Sequence, residues 1–322
     1  MKKILVILGP TSTGKTDLAL QLAHKFQGEL ISVDSRQVYK YLDIGAGKLP
    51  GKEVKAKKSE GFWELDGVRI WMYDVVNPKI QYTVADYVKD ANKVILEIRK
   101  KGKLPILVGG TGLYIKALVD GLPNLSIPID KKIRKGLEKL SLIDLQKKLK
   151  QISTKRWEIM NDSDRQNPRR LIRAIEMENY KGNKGDFGSQ ELVKEPDILK
   201  IGLTATREIL YQRSDERVVS RINQGMIEEA EKLWKDGLSL KRMKQLGLEY
   251  GILADYLEGK ITSKEELIKI LQGKIHGYIR RQLTWFKKET KVNWFDITRK
   301  NTFFEVENLV GIWYYSQDAT QD

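Results

Sequence analysis

The chain has 322 residues, 41% apolar and 31% charged, with 58 Lys and Arg against 43 Asp and Glu, a net charge of +15. That length suits one large domain, or a core carrying a smaller unit. Cysteine is absent, which excludes disulfides, thiolate catalysis and Cys-ligated zinc, and two histidines, His24 and His276, leave no multi-His metal site. The basic excess fits either a polyanionic partner or a solvated, Lys-rich surface.

Ile4 to Leu8 is a continuous apolar run, as in a parallel strand covered on both faces. It is too short for a membrane span or the core of a signal peptide, so a cytosolic protein without membrane attachment is expected. A Gly-rich turn follows, then a helical pattern from about 15 to 26. A second strand is expected over 29–33, ending at Asp34, and a third over 68–76. Residues 83–101 have helical spacing, and 104–108 form another short buried strand closed by Gly109 and Gly110. From 130 to about 180 the pattern is helical and basic, with 17 Lys and Arg against 11 Asp and Glu between Ser126 and Glu195. Residues 181–190 read as a loop and 198–203 as one more strand. Helical patterns cover 207–234, 263–272 and 274–288, and 292–295 reads as a last short strand.

Gly9-Pro10-Thr11-Ser12-Thr13-Gly14-Lys15-Thr16 matches GxxxxGK[ST] between an apolar strand and a helix, the context that gives the pattern its meaning. Backbone N–H groups of such a loop converge on phosphate oxygens, and the helix start adds positive potential. Lys15 is expected to reach a terminal phosphate, and Thr16 to ligate Mg²⁺. The alternating order predicts an α/β fold, a P-loop NTPase-like parallel sheet core flanked by helices. That core takes in 1–125 and 196–322, with a mainly helical insertion over 126–195. The loop by itself reports a pyrophosphate group and leaves ATP-binding kinases and hydrolases open, with Asp34 or Asp74 as the acid near Mg²⁺.

Further motifs narrow the choice. Leu30 to Tyr39 reads LISVDSRQVY, Asp43 to Lys48 reads DIGAGK, and Leu107 to Tyr114 reads LVGGTGLY. Asn167 to Glu176 reads NPRRLIRAIE and Arg280 to Phe286 reads RRQLTWF. In this order, and with the P-loop, they resemble the tRNA dimethylallyltransferase family over roughly residues 3 to 296, in its bacterial form, which has no Cys/His zinc finger. Three places depart from the family pattern. Ala46-Gly47-Lys48-Leu49 stands for T-A-K-P, and Leu246-Gly247-Leu248-Glu249-Tyr250 stands for an I-G-Y-K/R-E element. His276 occupies a position often held by Arg, at the expense of one tRNA contact.

The resemblance implies dimethylallyl pyrophosphate as donor, Mg²⁺ as cofactor and adenosine 37, in the anticodon stem-loop of tRNA, as acceptor. A monomer is expected. Asp34 is then the acceptor of the amine proton, or an acid in the Mg²⁺ environment. Arg217 binds the pyrophosphate, or lies with Arg213 and Arg221 on a solvated or tRNA-facing helix surface. Thr111, at a strand end, faces the ligand or caps the next helix. Asp34, Ser35, Arg36, Gln37 and Thr111 are expected at the acceptor nucleotide, which must be flipped out of its loop. Arg134, Arg169, Arg170 and Arg173 in the insertion, and Arg280, Arg281 and Gln282 near the end, are candidate tRNA contacts, a solvated helix face being the alternative for each Arg. Trp285 and Phe286 are expected in the core. Three rival readings stay open: an adenylate isopentenyltransferase, which has no use for a basic insertion; a P-loop kinase; and a non-catalytic RNA-binding protein, which leaves the P-loop unexplained.

Overall fold

The computed structural model describes residues 2–49, 55–122, 124–125, 127–180 and 196–316. It divides into two compact units, Met1–Val119 with Leu192–Asp322, and Asp120–Glu191. The loop expected at 181–190 lies outside the described residues.

The first unit is built on an eight-stranded sheet. In chain order its elements are β1 (Ile4–Leu8), α1 (Lys15–Lys25), β2 (Gly28–Ser32), β3 (Ala56–Ser59), β4 (Phe62–Leu65), β5 (Val68–Trp71), α2 (Val84–Lys100), β6 (Leu104–Gly109) and α3 (Gly112–Val119). After the second unit come β7 (Ile198–Thr204), a run of helices and β8 (Val292–Asp296). The strand order is β3-β4-β5-β2-β6-β1-β7-β8. From β5 to β8 all pairings are parallel, whereas β3, β4 and β5 form an antiparallel meander at one edge. The sheet is therefore mixed, not wholly parallel.

The parallel part is apolar on both faces because both are covered. In β1, Ile4, Val6 and Leu8 enter one buried cluster, and Leu5 and Ile7 enter the other. The strand expected over 68–76 stops at Trp71, because Met72 and Asp74 take positive φ angles of 67° and 55°. The helical stretch expected over 207–234 is two helices, α9 and α10 in full chain order. The first is Arg207–Asn223, the second Met226–Lys235, and Gly225 breaks them at φ 98°. Conversely, 263–272 and 274–288 form a single helix, Lys264–Phe286, which is α13 and runs through Gly273 and Gly277. Two short helices, α11 (Leu240–Leu246) and α12 (Leu248–Leu257), and a terminal one, α14 (Thr302–Tyr315), complete this unit.

The second unit holds helices α4 (Lys131–Leu137), α5 (Leu142–Ile152), α6 (Thr154–Ile159), α7 (Asp162–Arg165) and α8 (Pro168–Asn179). They close around their own apolar cluster, which includes Leu137, Leu145, Leu149, Leu171 and Ile175. α8 has a strong start: the Asn167 side chain accepts from the N–H groups of Arg169 and Arg170, and Pro168 fills the first helical position. No helix among the described residues is long and apolar enough to cross a membrane.

Candidate active site

The register of the sheet assembles the site. Leu8 pairs with Gly109, and Ser32 with Val108, so the carboxyl ends of β1, β2 and β6 lie at one edge. From that edge emerge the P-loop, Asp34 and the Gly109-Gly110-Thr111 turn, where open α/β sheets bind ligands. Close backbone packing explains the glycines. A Cβ on Gly9, at φ 140°, would lie 2.2 Å from the Leu203 carbonyl oxygen, and one on Gly109 would lie 2.2 Å from that of Val33.

These segments line a cavity of about 500 Å³. Thr11, Ser12, Gly14, Lys15 and Thr16 contribute the P-loop side. Gly9, Pro10 and Thr13 complete the loop without lining the cavity, the Thr13 hydroxyl donating to the Pro10 carbonyl at 3.0 Å. Lys15 Nζ donates to the same carbonyl at 2.5 Å. Loss of water around its ammonium, helped by the nearby Arg217 guanidinium, lowers Lys15 to about 7.

Arg217 also lines the cavity and donates to Thr11 Oγ1 at 3.3 Å. The adjacent Arg221 guanidinium, with burial second, lowers Arg217 to about 9. A guanidinium stays charged at neutral pH. The two guanidiniums repel each other, and an anion between them would relieve that repulsion. Arg221 in turn donates to the Gly45 carbonyl at 3.3 Å and to Glu249 at 3.4 Å. Burial raises Glu249 against the pull of Arg221.

Opposite the P-loop, Asp34 Oδ1 accepts the Arg36 N–H at 2.8 Å, and Oδ2 has no hydrogen-bond partner among the described residues. Thr111 Oγ1 accepts the Ser35 N–H at 3.2 Å, which fastens the turn after β6 to the turn after β2. Thr111 also starts α3, its carbonyl accepting from Ile115. Arg36 lines the cavity, and its Nε is buried without a hydrogen-bond partner among the described residues.

Some expected nucleotide contacts have other partners. Gln37 accepts from Ser32 Oγ at 2.6 Å and donates to the carbonyls of Ala46 and Gly47. Gln282 is 5% exposed. Its amide accepts from Thr11 N at 3.0 Å and donates to the Gly110 carbonyl at 2.9 Å, tying the P-loop to the β6 turn. Trp285 packs on Gly112 and Phe286 is buried, as expected for core residues. Asp74 is no cation ligand here, because its carboxylate is taken by Lys48 at 2.5 Å and Trp63 Nε1 at 2.6 Å. His276 stacks on Tyr211 with ring centroids 4.0 Å apart and bonds Asp215 at 2.8 Å. Arg280 and Arg281 are exposed, the first donating to Tyr211 Oη and the second lying over the Tyr278 ring.

In the second unit, Arg134 makes two 2.8 Å bonds to the buried Glu176. Arg173 donates to the carbonyls of Asn124 and Ile127. Both arginines bond within that unit, with side chains that stay partly exposed. Arg170 pairs with Asp164, and Arg169 is exposed with no side-chain partner among the described residues.

A Mg²⁺ ion fits this site in a limited way. No group of three or more His, Asp or Glu side chains able to hold a metal occurs among the described residues. Thr16 lines the cavity beside Lys15, so a hard cation there would take the Thr16 hydroxyl together with phosphate oxygens and water.

The chain is similar to known proteins in sequence and fold. A family model described as IPP transferase matches residues 37–289, and one described as isopentenyl transferase matches 2–67. The chain is 40% identical over 296 residues to tRNA dimethylallyltransferase 2 of Treponema denticola, covering 90% of this chain and 94% of that one. It is 37% identical over 317 residues to the tRNA dimethylallyltransferase of Acetivibrio thermocellus, covering 96% of each. Among solved structures it resembles the tRNA isopentenylpyrophosphate transferase of Bacillus halodurans, with a TM-score of 0.69 and 34% identity over 98% of this chain and 97% of that one. A eukaryotic dimethylallyltransferase acting on tRNA shares the fold, with a TM-score of 0.78 at 23% identity over 100% of this chain and 82% of that one. With a family model spanning most of its length and relatives this similar end to end, the chain belongs to the IPP transferase family.

Proposed function

We propose that this chain is a tRNA dimethylallyltransferase: it moves the dimethylallyl group of dimethylallyl pyrophosphate to N6 of adenosine 37 of tRNA and releases pyrophosphate. The observation that carries the reading is the single cavity onto which Lys15, Arg217 and Asp34 all open. The cavity combines cations with a carboxylate, as an attack on an allylic carbon requires. The names of the relatives point the same way.

The exocyclic amine of adenine is a weak nucleophile, so the reaction depends on making the leaving group depart. The N6–C1 bond forms as the C1–O bond breaks, the bonding pair leaves with pyrophosphate, and one N6 proton is lost. Lys15, Arg217 and the P-loop N–H groups bind the pyrophosphate and offset the charge that grows on it. Bound Mg²⁺, held by Thr16, would add further charge neutralisation. Asp34 accepts the N6 proton through Oδ2, while the Arg36 N–H and the Ser35–Thr111 bond hold its position. Arg36, with its unpaired Nε, and Ser35 border the acceptor side. Gln37 and Gln282 shape the walls instead of reading the base. The second unit, with Arg169 exposed, and Arg280 and Arg281 on α13 supply cationic contacts to the anticodon stem-loop. The enzyme acts as a monomer in the cytoplasm.

Incubation of the purified protein with Mg²⁺, labelled dimethylallyl pyrophosphate and tRNA is expected to label the tRNA without ATP. Labelling of AMP in preference to tRNA would favour a free-nucleotide prenyltransferase and overturn the proposal.

A further inference from the structure

Between β2 and β3 the chain makes a loop, 43–48, and Gly45, Ala46 and Gly47 of that loop form one wall of the cavity. Its backbone polar groups divide into two sets. On one side, the carboxylate of Glu229, on α10, accepts three N–H groups: Asp43 at 2.9 Å, Ile44 at 2.7 Å and Gly45 at 3.0 Å. Tyr250, on α12, donates its hydroxyl to Glu229 at 2.6 Å. On the other side, the carbonyl of Gly45 accepts from Arg221, and those of Ala46 and Gly47 accept from Gln37. Beneath the loop, the fully buried Lys48 ammonium is held by Asp43, Asp74 and the Tyr39 carbonyl.

The loop touches the arginine pair closely. Gly47 has φ 61°, and a Cβ there would lie 1.8 Å from an Arg221 guanidinium nitrogen and 3.1 Å from one of Arg217. The place of the loop thus sets the place of Arg221, and Arg221 stands against Arg217. Two guanidiniums that repel each other keep one geometry only if something fixed holds them, and here Arg221 is held by Glu249 and by the carbonyl of Gly45, the residue whose N–H Glu229 accepts.

We propose that Glu229, supported by Tyr250, is a positioning residue for the donor's pyrophosphate. It never meets the ligand. It fixes the 43–47 loop and so presets Arg221 and Arg217 for the anion. The inference rests on the reading of this cavity as the donor site. Glu229→Gln keeps the size of the side chain but turns one acceptor into an N–H donor facing N–H donors. Tyr250→Phe removes one of the four bonds and leaves the carboxylate in place.

The test is calorimetric binding of Mg²⁺ and pyrophosphate, with steady-state kinetics, for wild type, both variants and Glu228→Gln, an exposed neighbour on α10. Glu229→Gln is expected to weaken pyrophosphate binding about tenfold or more, the scale of losing charge-assisted hydrogen bonds. KM for dimethylallyl pyrophosphate should rise with it, while kcat at saturating donor stays within about threefold. The affinity for tRNA should be unchanged. Tyr250→Phe should move the same quantities less, and Glu228→Gln should move none. If wild type binds pyrophosphate and both variants bind it equally well, the inference fails. It fails too if tRNA affinity and kcat drop as far as donor affinity, because that is general loosening of the fold. A wild type that binds no pyrophosphate overturns the donor-site reading, and this inference with it.

Discussion

At the scale of single residues, the site pairs groups that are held under electrostatic load with groups that are held still. Lys15 is the clearest loaded group. Its ammonium, lowered to about 7, is half neutral near physiological pH until an anion arrives. Because the protonated form binds pyrophosphate, donor affinity should be full below about pH 7 and fall as pH rises above it, by up to about tenfold per pH unit. Measuring the donor Kd from pH 6 to pH 9 checks this, and Lys15→Met should bind weakly with a flat profile. Asp34→Asn keeps the Arg36 contact but cannot take a proton. It should lower kcat by about 10²- to 10⁴-fold with little change in pyrophosphate affinity. Unchanged turnover would remove Asp34 as the base. The P-loop and Asp34 were legible in the sequence as candidates because a motif carries them, and Arg217 through the family resemblance. Glu229 and Tyr250 were not, because Glu229 bonds backbone N–H groups nearly two hundred residues away along the chain and Tyr250 bonds Glu229. Gln37 and Gln282 were legible as site residues, but the backbone groups they bond were not. A motif marks a position and does not say whether the side chain meets a ligand or a carbonyl.

At the scale of elements, buried strands and glycine turns were the readable parts. β1 announces itself as a continuous apolar run, because both faces of a parallel strand are covered, and β2, β6 and β7 are mostly apolar runs, broken in β2 by Glu29 and in β7 by Lys200. β3 and β4 were missed, and with them the antiparallel meander they form with β5. β3 reads AKKS and is mostly exposed, so its pairing leaves no apolar signature. Helix lengths were misjudged at glycines in opposite directions. Gly225 adopts a left-handed angle and ends α9, whereas Gly273 and Gly277 stay helical inside α13. Gly9 is the element-scale position with the least freedom. Gly9→Ala would drive Cβ into the Leu203 carbonyl of β7 and strain φ 140°. A loss on the order of 4 kcal/mol in chemical denaturation is expected, and a change below about 1 kcal/mol would contradict the packing described. In the second unit, Asn167→Ala removes the cap of α8 and should cost about 1 kcal/mol, with faster hydrogen exchange concentrated in that helix.

At the scale of the whole molecule, a net charge of +15 and a basic second unit bear on how a large polyanion is engaged. Binding of tRNA should weaken steeply with salt, by about a hundredfold or more between about 50 and about 200 mM, because each neutralised phosphate releases counterions. A flat response would count against the basic surface as the contact. Arg134 and Arg173 should contribute little of that slope, since their guanidiniums are engaged inside the second unit. Arg169, Arg280 and Arg281 should contribute more. The central claim is that the P-loop cradles a leaving group, and that an adenine of the anticodon loop attacks the carbon attached to it. The most direct measurement is mass analysis of anticodon-loop nucleosides from tRNA incubated with dimethylallyl pyrophosphate and Mg²⁺, with and without the protein. The account predicts an adenosine next to the anticodon carrying one dimethylallyl group on N6, formed without ATP and absent with Asp34→Asn. An unmodified loop, or a phosphorylated small molecule formed only when ATP is supplied, would contradict it.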